Sequence, residues 1–423
     1  MWLINGTPSL FTDLYELTMA QVYFQKQMHD TAYFEVTIRR LPEHWGFFVM
    51  AGLSEIESYL REFRFSQADI EYLHSTKIFS EDFLSYLSEL KPDVRIRSLP
   101  EGTVFFPGEP ILEAAGPLIS AQILESYILN ILGFSIIEAT LAARTSIAAN
   151  GAAVVDFGLR RCQGPIASIR SARAAQIAGF KATSNVFAAR QLDFTPAGTM
   201  AHSFIQVHDS EEDSFSSFAE TYGQNAILLV DTYDTVEGIR KTATVAKQLL
   251  KEKGVRIKGI RIDSGDLVKL SNFAREYFKE NDLSFLKIFV SGDLDEFKIH
   301  DLLKRGAQID GFGIGTRFAV SRSAPAVEIV YKIVQYGNKG LFKTSPDKKS
   351  RPGRKSITRV KDKFYKKDII SPLKSQPEDL LKPFESGEDI QTIKERLVTE
   401  LSCLDDSIKA VRDPRKYPVE LTV

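Results

Sequence analysis

Seven short runs in the middle of the chain, most of them apolar, end in a polar or glycine-rich cluster. They read AAVVDFGLR (152–160), KATSN (181–185), GTMAHSF (198–204), AILLVDTYD (226–234), IKGIRIDSGD (257–266), KIFVSGDLDEF (287–297) and DGFGIGTRF (310–318). Most suit strands buried on both faces, and most are followed by a helix-period segment before the next strand. After Asp234, residues Val236, Ile239, Ala243, Ala246 and Leu250 step by threes and fours, and Leu267, Leu270, Ala274 and Tyr277 do the same after Asp266. Each set is one apolar stripe along a helix. Gly254 is placed to end the first of these helices. The repeat predicts parallel βα units closing into a barrel. In such barrels the C-terminal strand ends gather on one rim, and that rim carries the active site.

The flanks read differently. Thr12 or Asp13 is placed to cap a helix over LYELTMAQVYFQKQ, and TAYFEVTI (31–38) alternates like a strand. Residues 52–90 are helical in pattern, and RIRSLPEGTVFFPGEPILEAAGP (95–117) reads as short strands broken by Pro and Gly. Helical segments run from 118 to 149. AVEIVYKIVQYG (326–337) alternates as an antiparallel strand would, and 376–411 is charged and helical. The basic stretch from 343 to 355, within FKTSPDKKSRPGRKSITRV (342–360), is either a solvated turn or a lid over phosphates. These patterns divide the chain into an N-terminal α/β domain (1–125), an α/β barrel catalytic domain (126–324) and a C-terminal segment returning to the first domain (325–423).

Bulk properties narrow the partners. The chain has 423 residues, 54 Lys plus Arg and 55 Asp plus Glu, for a net charge of −1. That balance gives no reason to expect nucleic acid or an anionic membrane surface. The most apolar stretch, 117–143, is broken by Glu125 and Glu138, and the uncharged span between them is too short to cross a bilayer, so a core helix is expected. Cys162 and Cys403 are too few for a disulfide framework or a four-thiolate zinc site, and a cytoplasmic location is expected. The N-terminus lacks the pattern of a signal peptide.

Three kinds of group converge on the expected rim. Acids come from Asp156, Asp231, Asp234, Asp263, Asp266 and Asp293, cations from Arg160, Arg161, Arg261 and Arg317. Glycine turns come from SGD (264–266), SGD (291–293, with Gly292) and GFGIGT (311–316, with Gly313, Gly315 and Thr316). Taken singly each acid is as readily a helix cap as a ligand. Together they suit a phosphorylated sugar reacting through a cationic carbon: backbone N–H groups of the glycine turns and arginines hold phosphate, and carboxylates hold sugar hydroxyls or developing positive charge. His202 is the histidine expected at a strand end of the repeat, with Asp231 one strand away, and could act as a base or a nucleophile toward phosphate. No His/Cys metal site is expected, but magnesium needs only carboxylates, water and substrate phosphates. Tyr15 and Phe157 are either core rings or a sandwich for a flat heterocycle.

TDLYELTMAQ, FEVTIRRLP, DFGLRRCQGP, GTMAHSF, VDTYDT, RIDSGDL, VSGDLDE and FGIGTRF, in that order over residues 12 to 318, resemble the motifs of the nicotinate phosphoribosyltransferase family. The resemblance implies an irregular parallel (β/α) barrel, type II phosphoribosyltransferase-like, with a second α/β domain built from the N- and C-terminal segments. It also implies a homodimer with shared active sites. The implied reaction joins nicotinate to phosphoribosyl pyrophosphate, giving nicotinate mononucleotide and pyrophosphate in NAD biosynthesis. ATP is hydrolysed alongside, and Mg2+ accompanies the phosphates. By the same resemblance His202 is the phosphorylated histidine and Asp231 the acid near it. Tyr15 and Phe157 stack on the pyridine, and Thr199 and Arg261 hold nicotinate. Arg160, Asp293, Gly313, Gly315 and Thr316 bind the sugar phosphate. A nicotinamide-preferring relative with the same fold, or a catalytically silent nucleotide sensor, would share much of this pattern.

Overall fold

The computed structural model describes residues 8–343, 351–373, 378–384 and 387–422. The middle of the basic stretch, residues 344–350, lies outside these, so nothing is said of a lid there. The chain divides into two compact units, one made of Met1–Ile137 with Ala326–Val423, the other of Glu138–Pro325.

In the first unit, strand Thr31–Ile38 buries every second residue, as its alternation requires. It pairs antiparallel with Pro110–Pro117 on one side and with Ile329–Tyr336 on the other. The C-terminal return therefore completes a sheet begun by the N-terminal segment. Asp13 caps helix Leu14–Gln25 in a reciprocal capping box with Glu16. Arg359, on strand Lys355–Lys361, ties Asp368 and Glu400 together and donates to the Val104 carbonyl at 2.8 Å.

The second unit is built on a six-stranded sheet in the order Ala182–Thr183, Ala153–Asp156, Gly311–Ile314, Lys287–Val290, Gly259–Ile262, Ile227–Leu229. All its pairings are parallel. Ile260, Ile262, Ile288, Val290, Phe312 and Ile314 are at most 1% exposed, which explains the unbroken apolar runs. Helices Thr235–Lys253, Leu267–Glu280 and Glu296–Lys304 follow three of the strands, and Gly254 stops the first in a left-handed conformation at φ 65°. Its core stripe is Ile239, Thr242, Ala243, Ala246 and Leu249, so the last contact shifts by one from Leu250.

One expected strand is absent. GTMAHSF forms irregular chain and then the short helix His202–Gln206. The chain leaves the sheet edge after a single bridge between Thr183 and Pro196. Proline has no N–H with which to continue a ladder. The sheet is accordingly a half-barrel: among the described residues no pairing joins its edge strands, Ala182–Thr183 and Ile227–Leu229. The apolar stretch Leu118–Ala148, helical apart from a turn at Ile123–Leu124, is long and apolar enough to cross a membrane by length and composition, yet 67% of its apolar window is buried inside the protein.

Candidate active site

Parallel register brings the strand ends level: Asp156 lies beside Thr183 and Ile314, Val290 beside Ile262, and Leu229 beside Arg261. The residues just past these ends enclose a cavity of about 460 Å³. Its walls include Phe157, Arg160, Thr199, His202, Arg261, Asp263, Gly292, Asp293, Gly313, Gly315 and Thr316, all within the second unit. Tyr15 belongs to the first unit, on helix Leu14–Gln25, with its side chain 46% exposed. Burial and the Glu125 carboxylate raise its phenol well above the usual range.

Arg261 is the most constrained side chain in the cavity wall. Its Nε donates to Ser291 Oγ at 2.7 Å, Nη1 to Thr199 Oγ1 at 3.1 Å and Nη2 to Asp263 Oδ1 at 2.7 Å. Its guanidinium carbon stands 5.4 Å from the centroid of Phe157. Ser291 also donates to Asp263, closing a ring of three. Burial works to raise the Asp263 carboxyl, but the bonds from Ser291 and Arg261 outweigh it and hold the group below its ordinary value. Phe157 in turn leaves no room at Gly313, where a Cβ would stand 2.4 Å from the ring. Gly292 has φ 93°, and a Cβ there would meet the Asp263 carbonyl oxygen at 1.9 Å. Both glycines are therefore sterically required.

The acids separate by their partners. Asp156 is buried and accepts from Thr183 Oγ1 and the Gly158 N–H, each at 2.7 Å, so it fixes a turn and takes no part in the cavity wall. Asp234 and Asp266 cap helices, accepting from the N–H groups of Glu237 and Lys269. Asp293 is gripped by Arg317 and Lys298, and the Arg317 hydrogen bonds, with Lys298 and against the opposing effect of burial, hold it far below the usual carboxylate range. Arg317, expected among the rim cations, is ion-paired with Asp293 and Asp295 and lies outside the cavity wall. Arg160 and Arg161 are exposed in the cavity wall and have no hydrogen-bond or ion-pair partner among the described residues, which leaves them for an anion.

His202 sits at the start of a short helix, not at a strand end. Its expected orientation by Asp231 is not found. Nδ1 bonds instead to Thr232 Oγ1 at 3.0 Å, while Asp231 Oδ2 accepts from the Asp263 N–H at 3.1 Å and Ser264 Oγ at 2.6 Å. A carboxylate two residues from a strand end turns back onto the neighbouring loop when that loop offers an N–H and a hydroxyl. Asp231 Oδ1 is buried without a hydrogen-bond partner. Thr232 and Ser291 were not singled out in the sequence, although both lie inside motifs that were. A hydroxyl beside a strand-end Asp was the available signal.

Among the described residues no three His, Cys, Asp or Glu side chains cluster as a metal cage. Asp263 and Asp293 are committed to arginines. The carboxylates that line the cavity are Asp263 and Asp293, so a magnesium ion arriving there would be held chiefly by the substrate phosphates and water, while Asp231, whose Oδ1 is buried, lies outside the cavity wall.

The nicotinate phosphoribosyltransferase (NAPRTase) family model matches residues 152–368, and the model of the NAPRTase N-terminal domain matches residues 10–133. Nicotinate phosphoribosyltransferase pncB2 of Mycobacterium tuberculosis is 43% identical over 351 residues, spanning 83% of this chain and 75% of that protein. Nicotinate phosphoribosyltransferase of Bacillus subtilis is 34% identical over 458 residues, spanning 98% and 93%. The crystal structure of human nicotinic acid phosphoribosyltransferase superposes with a TM-score of 0.84 at 25% identity, covering 97% of each chain. With its half-barrel, its glycine-lined cavity and these likenesses, the chain belongs to the nicotinate phosphoribosyltransferase family.

Proposed function

We propose that the cavity joins nicotinate to phosphoribosyl pyrophosphate, releasing pyrophosphate and forming nicotinate mononucleotide for NAD biosynthesis, with ATP hydrolysed through a phosphohistidine at His202. The observation that carries this reading is the arrangement of Arg261 over Phe157. Three of the five guanidinium N–H groups are engaged, so two remain on the terminal nitrogens for a planar carboxylate. The ring of Phe157 beside them offers a stacking face to a pyridine. Free Arg160 and Arg161, with the Gly292 and Gly313–Thr316 turns, provide for the phosphates on the same wall.

In this reading the pyridine nitrogen forms a bond to the anomeric carbon as the bond to pyrophosphate breaks. Positive charge develops on the ribose, and Asp293, kept ionised by Arg317, opposes it. A magnesium ion carried in on the phosphates would supply charge neutralisation to the leaving group. His202 touches neither reacting atom. Thr232 fixes its Nδ1, and Nε2 has no hydrogen-bond partner among the described residues, so it is free to take a phosphoryl group from ATP, with ADP leaving. Phosphorylation adds negative charge beside the cavity and acts as a local switch. We further propose a cytoplasmic homodimer in which the partner subunit's Tyr15 supplies the second stacking face; the exposure of the Tyr15 ring supports this.

Product analysis with nicotinate, nicotinamide and quinolinate, each with and without ATP, tests the proposal. Nicotinate mononucleotide formed from nicotinate alone of the three, faster with ATP, is expected. Turnover of nicotinamide in preference would overturn the substrate assignment. His202→Ala is expected to take up no label from γ-labelled ATP, and undiminished labelling would remove the phosphohistidine.

A further inference from the structure

We infer that Arg317 is a positioning residue for the phosphoribosyl substrate: it pins Asp293 and locks the loop after strand Lys287–Val290 to the loop after strand Gly311–Ile314. The inference rests on the reading of the cavity given above. Gly292 and Asp293 both have positive φ, 93° and 50°, so the backbone turns through two successive left-handed residues at the cavity wall. Aspartate tolerates that region better than most residues, but such a conformation persists only where its surroundings hold it. Arg317 holds it. Nε and Nη2 each donate to one Asp293 oxygen at 2.6 Å, a bidentate fork, and Nη1 donates to Asp295. Lys298 adds bonds to the Asp293 carboxylate and carbonyl at 3.0 and 2.8 Å.

Arg317 directly follows Thr316, so the same residue that clamps one loop is fixed to the glycine turn of the other. Two carboxylates use up its charge, and it does not line the cavity. It therefore binds no phosphate itself. Its effect reaches the substrate through the spacing of Gly292 and Asp293 against Gly315 and Thr316.

Initial rates with each substrate varied in turn test this. For Arg317→Gln, which cannot span both carboxylates, the KM for phosphoribosyl pyrophosphate is expected to rise at least tenfold while the KM for nicotinate stays within twofold. Arg317→Lys keeps the charge but not the fork and is expected to fall between. Added methylguanidine is expected to recover part of the loss in Arg317→Gln. Should Arg317→Gln fail to fold, the same pair of KM values is read on Arg317→Lys. With an active wild type, an unchanged phosphoribosyl pyrophosphate KM, or an equal rise for both substrates, overturns the inference. A wild type that makes no nicotinate mononucleotide overturns the reading beneath it instead.

Discussion

At the scale of single residues, identical side chains take different work according to what surrounds them. Asp156 closes its strand and Asp293 follows the end of another, yet the first is enclosed by a threonine and a backbone N–H and the second is held at the cavity by an arginine and a lysine. Glu138 shows how burial alone sets behaviour. It is fully buried on the long apolar helix, where desolvation pushes its carboxyl up to about 7 against hydrogen bonds from Ser321 and Ser171. In the unfolded chain the group ionises near its ordinary value, so between about pH 4.5 and 7 the folded chain holds the extra proton and stability falls as pH rises. Glu138→Gln keeps hydrogen-bonding capacity for both serines and removes that proton. Its unfolding free energy should lose a slope worth on the order of 3 kcal/mol across this window. Glu125, also pushed up to about 7 by burial, is common to both proteins and cancels. Equal slopes by urea titration at several pH values would refute this account.

At the scale of elements, helices and strands were legible where the pattern was long or the signal local. The buried strands announced themselves as apolar runs, and Thr31–Ile38 as strict alternation. GTMAHSF was misread because a short apolar run has no period of its own; Pro196 upstream, which stops the ladder, was the overlooked sign. The caps were ambiguous for a better reason: an Asp that closes a strand and an Asp that opens a helix occupy the same position in a βα unit. The geometry separates them, and kinetics should too. Asp234 accepts from the Glu237 N–H at 2.9 Å and lies outside the cavity wall. Asp234→Ala is expected to cost about 1 kcal/mol of stability with kcat unchanged within twofold. A large loss of kcat at full stability would return Asp234 to the site. The site residues read from the motifs were found on one wall, except Tyr15 and Asp231. The pairing of Arg261 with Ser291 depends on register across strands, and those of His202 with Thr232 and Arg261 with Thr199 on the path of the irregular chain before helix His202–Gln206, none of which sequence spacing reveals.

At the scale of the molecule, the first unit is assembled from both ends of the chain. Tyr331, on the returning strand, is 7% exposed, stacks on Phe34 with ring centroids 4.7 Å apart, and donates to the Ala121 carbonyl at 2.7 Å. Tyr331→Ala should lower stability by about 3–5 kcal/mol, as other large aromatic truncations in cores do. A loss below about 1 kcal/mol in denaturant unfolding would mean that the return strand contributes little. The same pairing bears on how the protein is born. Ile38 faces Ile329 in the finished sheet, so its partner leaves the ribosome close to 300 residues later. At ordinary elongation speeds that delay is on the order of 15–60 s, during which one side of the Thr31–Ile38 strand has no neighbour. An open edge of this kind invites pairing with other nascent chains. The N-terminal segment is therefore where an open strand edge waits through synthesis of the whole second unit, and where shielding of that edge would matter.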